Sequence, residues 1–245
     1  MLIVLPPSET KTHGGSGKPL DFHHLSFPSL TKARQTILAD LQALEVDEAL
    51  KVLGISEKLR PEAESNRALE TSPTMPAIFR YSGVLYDALD AATLPEKALE
   101  RLAIGSALFG VIHSTDPIPH YRLSGGTKLP TKSGELPTMK ARWGTSISEA
   151  LIDVNQLVID LRSGTYQQLG RVKDAVTVRV ESVMEDGSRK VVSHFNKHYK
   201  GELARVLALS EKEAHTAEDV MSIAQAAGLV VEENPNHKET LTLVV

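Results

Sequence analysis

The chain has 245 residues, 41% of them hydrophobic and 24% charged, with a net charge of −4 and no cysteine. This is the composition of a globular protein; it excludes disordered, collagenous and disulfide-stapled classes, and it removes thiolate nucleophiles and thiolate metal ligands. One domain spanning residues 1–245 is expected, since an α/β unit of this length is ordinary.

The opening run Met1 to Leu5, closed by Pro6 and Pro7, is too short for a secretory apolar core and reads as a buried first strand. No stretch approaches the roughly 18 apolar residues of a membrane span, so a cytoplasmic protein without a membrane partner is expected. The following loop, Thr12 to Pro19, contains Gly17-Lys18. A phosphate loop needs Gly where Thr12 stands and Ser or Thr where Pro19 stands, so the pattern fails.

Residues 29–70 carry Ile37, Leu38, Leu41, Leu44, Leu50, Val52, Leu53 and Leu59 at helical spacing, broken at Gly54 and Pro61. Within them, Ala49 to Leu59 resembles a helix-hairpin-helix, with Gly54, Ser56 and Lys58 at the turn that would meet a DNA phosphate. Seven acids against four bases over residues 45–70 oppose that use. Ile104 to Val111 is an equally imperfect candidate. Residues 76–106 read as mostly helical, with an amphipathic run from Pro95 to Ser106, while Ala107 to Ile112 fits a buried strand or a continued helix.

His113, Asp116 and His120, or the pair His23 and His24, have metal-capable side chains, but no recognised ligand spacing; no metal is expected. Ser82, Ser106 and Ser163 lack a nucleophile elbow, and no cofactor signature is present, so no cofactor is expected. Pro117 and Pro119 present Arg122, whose planar fork suits phosphate or carboxylate; pairing with Asp160 or Glu9 as a structural bridge is the equal alternative. A Gly, Pro and Lys-rich loop follows over residues 125–137.

Beyond a helix over 143–154, residues 157–161 read as a central strand. Alternating Val176, Val178 and Val180, an Asp186-Gly187 turn and Lys190 to Phe195 predict a β-hairpin. A helix over 196–209 should bring Lys197, Gly201 and Arg205 into one arc with Lys200 beside it, small residues there allowing close approach of a phosphate or a backbone. A helix over 217–227 and strands near 229–231 and 241–244 complete a mixed α/β (α+β) domain. Residues 122–142 and 189–205 each carry net +4 on an otherwise acidic body, so their meeting in space would make one basic cleft.

Pro6-Pro7-Ser8-Glu9 with Lys11, Tyr81 to Tyr86, Ser106 to Val111, Asp116 with Tyr121-Arg122-Leu123, Trp143-Gly144, Ile159 to Ser163 with Tyr166, and Phe195 to Lys197 with Lys200-Gly201 and Arg205 resemble the YaaA peroxide-stress family in order and spacing, over essentially the whole chain. Thr10 departs from that pattern, which has Gly there. The resemblance implies helices wrapped around a mixed sheet, a positively charged cleft, binding of duplex or branched DNA through a helix-hairpin-helix-like element, and a role in limiting peroxide and iron-dependent damage. The expected phosphate contacts are Lys11, Arg122, Lys197, Lys200 and Arg205, with Gly54, Ser56 and Lys58. The alternative is an enzyme or binder for a small phosphate-containing molecule, with Glu9 and Asp160 as acid/base groups.

Overall fold

The computed structural model describes residues 1–192, 195–235 and 237–245. β1 (Leu2–Leu5) is buried along its whole length, as expected of an apolar run covered on both sides. Helices α1 (Thr31–Gln42), α2 (Val46–Leu53) and α3 (Arg60–Ser65) follow. Next come the short strand β2 (Met75–Pro76) and the helices α4 (Ala77–Arg80), α5 (Val84–Leu89) and α6 (Glu96–Leu99). The chain then forms the strands β3 (Leu102–Ser106), β4 (Gly110–His113) and β5 (Pro117–Ile118). After the long loop, α7 (Met139–Trp143) and α8 (Ser146–Ile152) lead to β6 (Val158–Asp160) and α9 (Gly164–Gln167). The last third contains β7 (Val176–Val183), β8 (Arg189–Val191), α10 (Asn196–Leu209), α11 (Ala217–Ala226), β9 (Val230–Asn234) and β10 (His237–Val244).

The main sheet runs β4-β3-β1-β6-β7-β10-β9, with β8 paired to β7. β1 lies between β3 and β6, parallel to both, while β4, β8 and β9 pair antiparallel. The mixed sheet with helices around it agrees with the sequence reading. Because the chain builds one side of β1 before crossing to the other, the strand order reverses at β1. In such sheets the crevice beyond the carboxyl ends of the strands is where ligands bind.

Two readings are corrected. The amphipathic run 95–106 is helical only over α6; from Leu102 it is strand β3, buried on both faces, where the period of two that would mark a strand is lost. Ile104 to Val111, the second hairpin candidate, is the β3–β4 turn; it is wholly buried, so it presents nothing to DNA.

Of the two uses expected for the small residue in α10, close approach of a backbone is the one found. A Cβ on Gly201 would lie 2.3 Å from the Leu85 carbonyl oxygen, so the backbone that approaches there is that of α5. The face carrying Gly201 is the packing face between α10 and α5. Gly201→Ala is expected to destabilise the fold by about 1–3 kcal/mol through overpacking, against a helix-propensity gain of about 1 kcal/mol. Urea denaturation measures it, and an unchanged midpoint would mean that the two helices separate freely.

Candidate functional site

At the carboxyl end of β1 the chain turns through Pro6 and Pro7 into Ser8, Glu9, Thr10 and Lys11. This segment docks on the turn between α4 and α5: Lys11 bridges Tyr81, and the Ser82 amide donates to the Thr10 carbonyl at 3.2 Å. The Tyr86 hydroxyl donates to the Pro6 carbonyl at 2.8 Å, holding the proline corner from below. Proline supplies no amide there, so side chains hold the turn instead.

Lys11 is buried beneath the loop. Its ammonium donates to the Ser8 carbonyl at 2.9 Å and sits 4.5 Å from the centre of the Tyr121 ring, with Tyr81 at 5.4 Å. Tyr81 and Tyr121 share a 2.7 Å hydroxyl contact, and Tyr121 reaches Ser106 at the end of β3 at 2.7 Å. Burial pushes Tyr81 up to about 12 and Tyr121 well above the usual phenol range, so this hydroxyl chain stays neutral. Tyr166 closes the far side, accepting from the Gly125 amide at 3.1 Å.

Burial lowers the Lys11 ammonium from its ordinary 10.5 to about 8, with Glu9 opposing the shift. Between pH 8 and 10.5 the unfolded chain keeps a proton that the folded chain has lost, so stability rises with pH across that window, by about 3 kcal/mol at most. Lys11→Met is expected to reduce this rise, leaving the contribution of buried Lys200, as measured by denaturation at pH 7 and 10. A slope as steep in Lys11→Met as in the wild type would place the titrating group elsewhere.

Arg122 and Lys197 flank the same loop. Arg122 donates to the Glu9 carbonyl at 3.1 Å, with its other nitrogen 3.9 Å from the Glu9 carboxylate. Its backbone is held by Asn66, which accepts from the Arg122 amide and donates to the Arg122 carbonyl, both at 2.8 Å. Asn66 directly follows α3, so the α2–α3 hairpin and Arg122 are mechanically joined. On the other side, exposed Lys197 at the start of α10 faces a hollow of about 210 Å³ lined also by Ser8, Thr10, Ser82 and Gly83. Among the described residues Lys197 has no ion pair with an acid.

The remaining expected contacts are placed differently. Lys200 is buried and donates to the Leu161 carbonyl at 3.3 Å; burial lowers its pKa while Asp160 opposes the shift. Arg205 donates to the carbonyls of Leu89 and Asp90 at 2.9 and 3.1 Å, closing the C-terminal end of α5, where a cation is favoured. Asp160 is locked in a buried two-point pair with Arg162, both contacts 2.8 Å, and Arg162 also donates to the Gly170 carbonyl. That carboxylate is committed to structure, whereas Glu9 is half exposed at the rim.

Gly54 caps α2 in the left-handed region, φ 64°, and Ser56 precedes a single tight turn over residues 57–59 that carries exposed Lys58 into α3. Around Gly54 the chain thus passes from α2 through a tight turn into the short helix α3. Glu57 and Asp47 are both engaged by Arg60, one of the four bases already counted there, so the segment keeps its excess of acids. His113, Asp116 and His120 do not converge: Asp116 accepts from Ser26 and the His113 amide, His113 stacks on Phe27, and His120 turns to Glu62. His24 pairs with Asp21 at the surface. Lys11 and the tyrosine bed sit in blocks that carried the family resemblance, but no local spacing showed that they form one cluster.

A family model described as peroxide stress protein YaaA matches residues 1–234. The chain belongs to the YaaA peroxide-stress family. Among its relatives, a UPF0246 protein of Corynebacterium glutamicum is 99% identical over the full length of both chains. One from Corynebacterium efficiens is 70% identical, again over the full length of both. A third, from Streptomyces coelicolor, is 43% identical over 84% of this chain and 82% of the relative. The YaaA resemblance drawn from the motif series thus holds across the chain. No helix among the described residues is long and apolar enough to cross a membrane.

Proposed function

We propose that this YaaA-family protein binds the phosphate backbone of duplex or branched DNA in the groove at the carboxyl end of β1, as part of the peroxide-stress response. The observation that carries the reading is the convergence of Arg122 and Lys197 on the Pro6 to Thr10 loop, with cationic Lys11 beneath it and the α2–α3 hairpin tied to Arg122 through Asn66. Phosphate contacts of this kind position a duplex without reading its bases. The protein is acidic overall, so attraction has to be local rather than a property of the whole surface. Bound to DNA in this way, the protein would limit oxidative and iron-dependent damage at the DNA itself.

Fluorescence anisotropy with a labelled duplex and a labelled four-way junction tests the reading at low salt. A dissociation constant of about 1–100 µM that weakens steeply with salt is expected. No binding to either DNA at about 100 µM protein rejects it.

A second reading rests on the hollow beside Lys197. At about 210 Å³ it is smaller than the roughly 300 Å³ at which drug-sized ligand sites begin, and its hydroxyls and lysine suit a single phosphate group. A thermal-shift panel of nucleotides and sugar phosphates separates this reading from the first; stabilisation by one of them without DNA binding would favour it, and a flat panel would remove it.

A further inference from the structure

A second constellation lies behind Lys11, where three segments distant in the chain meet. His13 comes from the loop after β1, Glu62 from α3, and His120 from the segment after β5. One ligand-capable atom from each lies within 4.8 Å of the others. The Glu62 carboxylate faces the Nε2 edges of both rings, one oxygen 3.6 Å from His13 Nε2 and the other 3.5 Å from His120 Nε2. The two imidazoles stack at 4.1 Å.

The hydrogen bonds around His120 suit the tautomer that a metal ligand needs. The Ser65 hydroxyl lies 3.3 Å from His120 Nδ1 and donates its proton to the Glu62 carbonyl at 2.8 Å. With the hydroxyl proton on that carbonyl, its oxygen accepts from the ring in the tautomer protonated on Nδ1, which leaves the Nε2 lone pair for a ligand. His120 is 7% exposed, and Nε2 is buried without a hydrogen-bond partner. In that tautomer a lone pair faces a carboxylate oxygen, two acceptors that a cation between them would satisfy. A buried polar atom left in that state is costly.

The geometry points to a site for one divalent first-row transition ion of the zinc class, held by His13, Glu62 and His120. Two imidazoles and one carboxylate are a recurrent donor set for such ions, and three protein ligands leave a position open to water. With metal–ligand bonds of about 2.0–2.1 Å in a tetrahedron, neighbouring ligand atoms are about 3.4 Å apart, so the three ligand atoms, within 4.8 Å of one another, would close in on the ion as it binds. Ser65 orients His120 from the outer shell, as partners of metal-bound imidazoles do. His13, with a side chain 72% exposed, is the ligand free to adjust. The site stands independently of the DNA reading. The spacing of His113, Asp116 and His120 predicts no metal, but the fold brings to His120 two partners, His13 and Glu62, that no spacing rule connects with it.

Calorimetric titration of the tag-free full-length protein with Zn2+ tests the site, with Co2+ absorption reporting coordination by nitrogen and oxygen. One ion per chain is expected, with affinity falling about tenfold or more in His13→Ala and in Glu62→Gln. His13 is exposed, so His13→Ala should keep the wild-type circular dichroism; Glu62→Gln is scored only with its spectrum matched. Absence of stoichiometric binding, or equal affinity in the wild type and both variants, overturns the assignment.

Discussion

Replacing Lys197 and Arg122 together by alanine is expected to weaken duplex binding by about ten- to a hundredfold at low salt. Each side chain stands to lose one charge-assisted contact to phosphate, worth about 1.5–3 kcal/mol when well formed and less at an exposed position. The logarithm of affinity should also depend less steeply on the logarithm of salt, by about 2, because two fewer counterions are released. Arg205→Met is the instructive contrast. Its guanidinium closes the end of α5 through Leu89 and Asp90, so its loss should lower stability and leave the salt slope unchanged. An unchanged slope in the Lys197 and Arg122 double variant, with a reduced slope in Arg205→Met, would mean that the face of α10 opens to meet DNA.

Asp160→Asn is expected to cost about 3–5 kcal/mol, because it leaves Arg162 buried without its counter-charge. Arg162 is 1% exposed, and three of its four polar contacts run to the Asp160 carboxylate. Lys200, held nearby on the Leu161 carbonyl, loses the same compensating charge. For a domain of this size the loss corresponds to a fall of roughly 10 °C in melting temperature. Asp160→Leu combined with Arg162→Met should cost less than the two single changes added together, since removing both charges leaves neither stranded. A fall of only a degree or two in Asp160→Asn would show that water reaches Arg162.

The elements that a local pattern could specify were legible. The apolar spacing after residue 196 placed a helix over 196–209, the range of α10, and the valine alternation with Asp186-Gly187 placed β7 against β8. Of the expected second arm, Ser193 and His194 lie outside the described residues, while Phe195 is not strand but the residue that leads into α10. Periodicity failed at β3, where Leu102, Ala103, Ile104, Gly105 and Ser106 are buried on both faces and give no alternation. It also could not tell what an arc of a helix meets. Lys197, Gly201 and Arg205 share a face, yet Gly201 takes the backbone of α5, Arg205 serves its C-terminus, and only Lys197 remains open to the groove.

Clusters assembled from distant segments were illegible for a plainer reason. Lys11 on its tyrosine bed draws on β1, α4, β3 and the stretch after β5, and the group of His13, Glu62 and His120 draws on three segments. No spacing rule connects such residues; only the crossing of the chain around β1 does. Arg122 shows the intermediate case, since the sequence offered either a phosphate anchor or a bridge to Glu9 or Asp160. The fold places it on Glu9, at the rim, with Asp160 already taken by Arg162.

The location of bound DNA is most directly read by lysine acetylation of the free and the duplex-bound protein, followed by peptide mass analysis. Exposed Lys197 and Lys58 should be protected by the duplex. Lys97, beside Met1 and Arg101 at the opposite end of the parallel strands, should react as before. Protection of Lys97 with Lys197 left fully reactive would contradict the placement of the phosphate groove at the carboxyl end of β1.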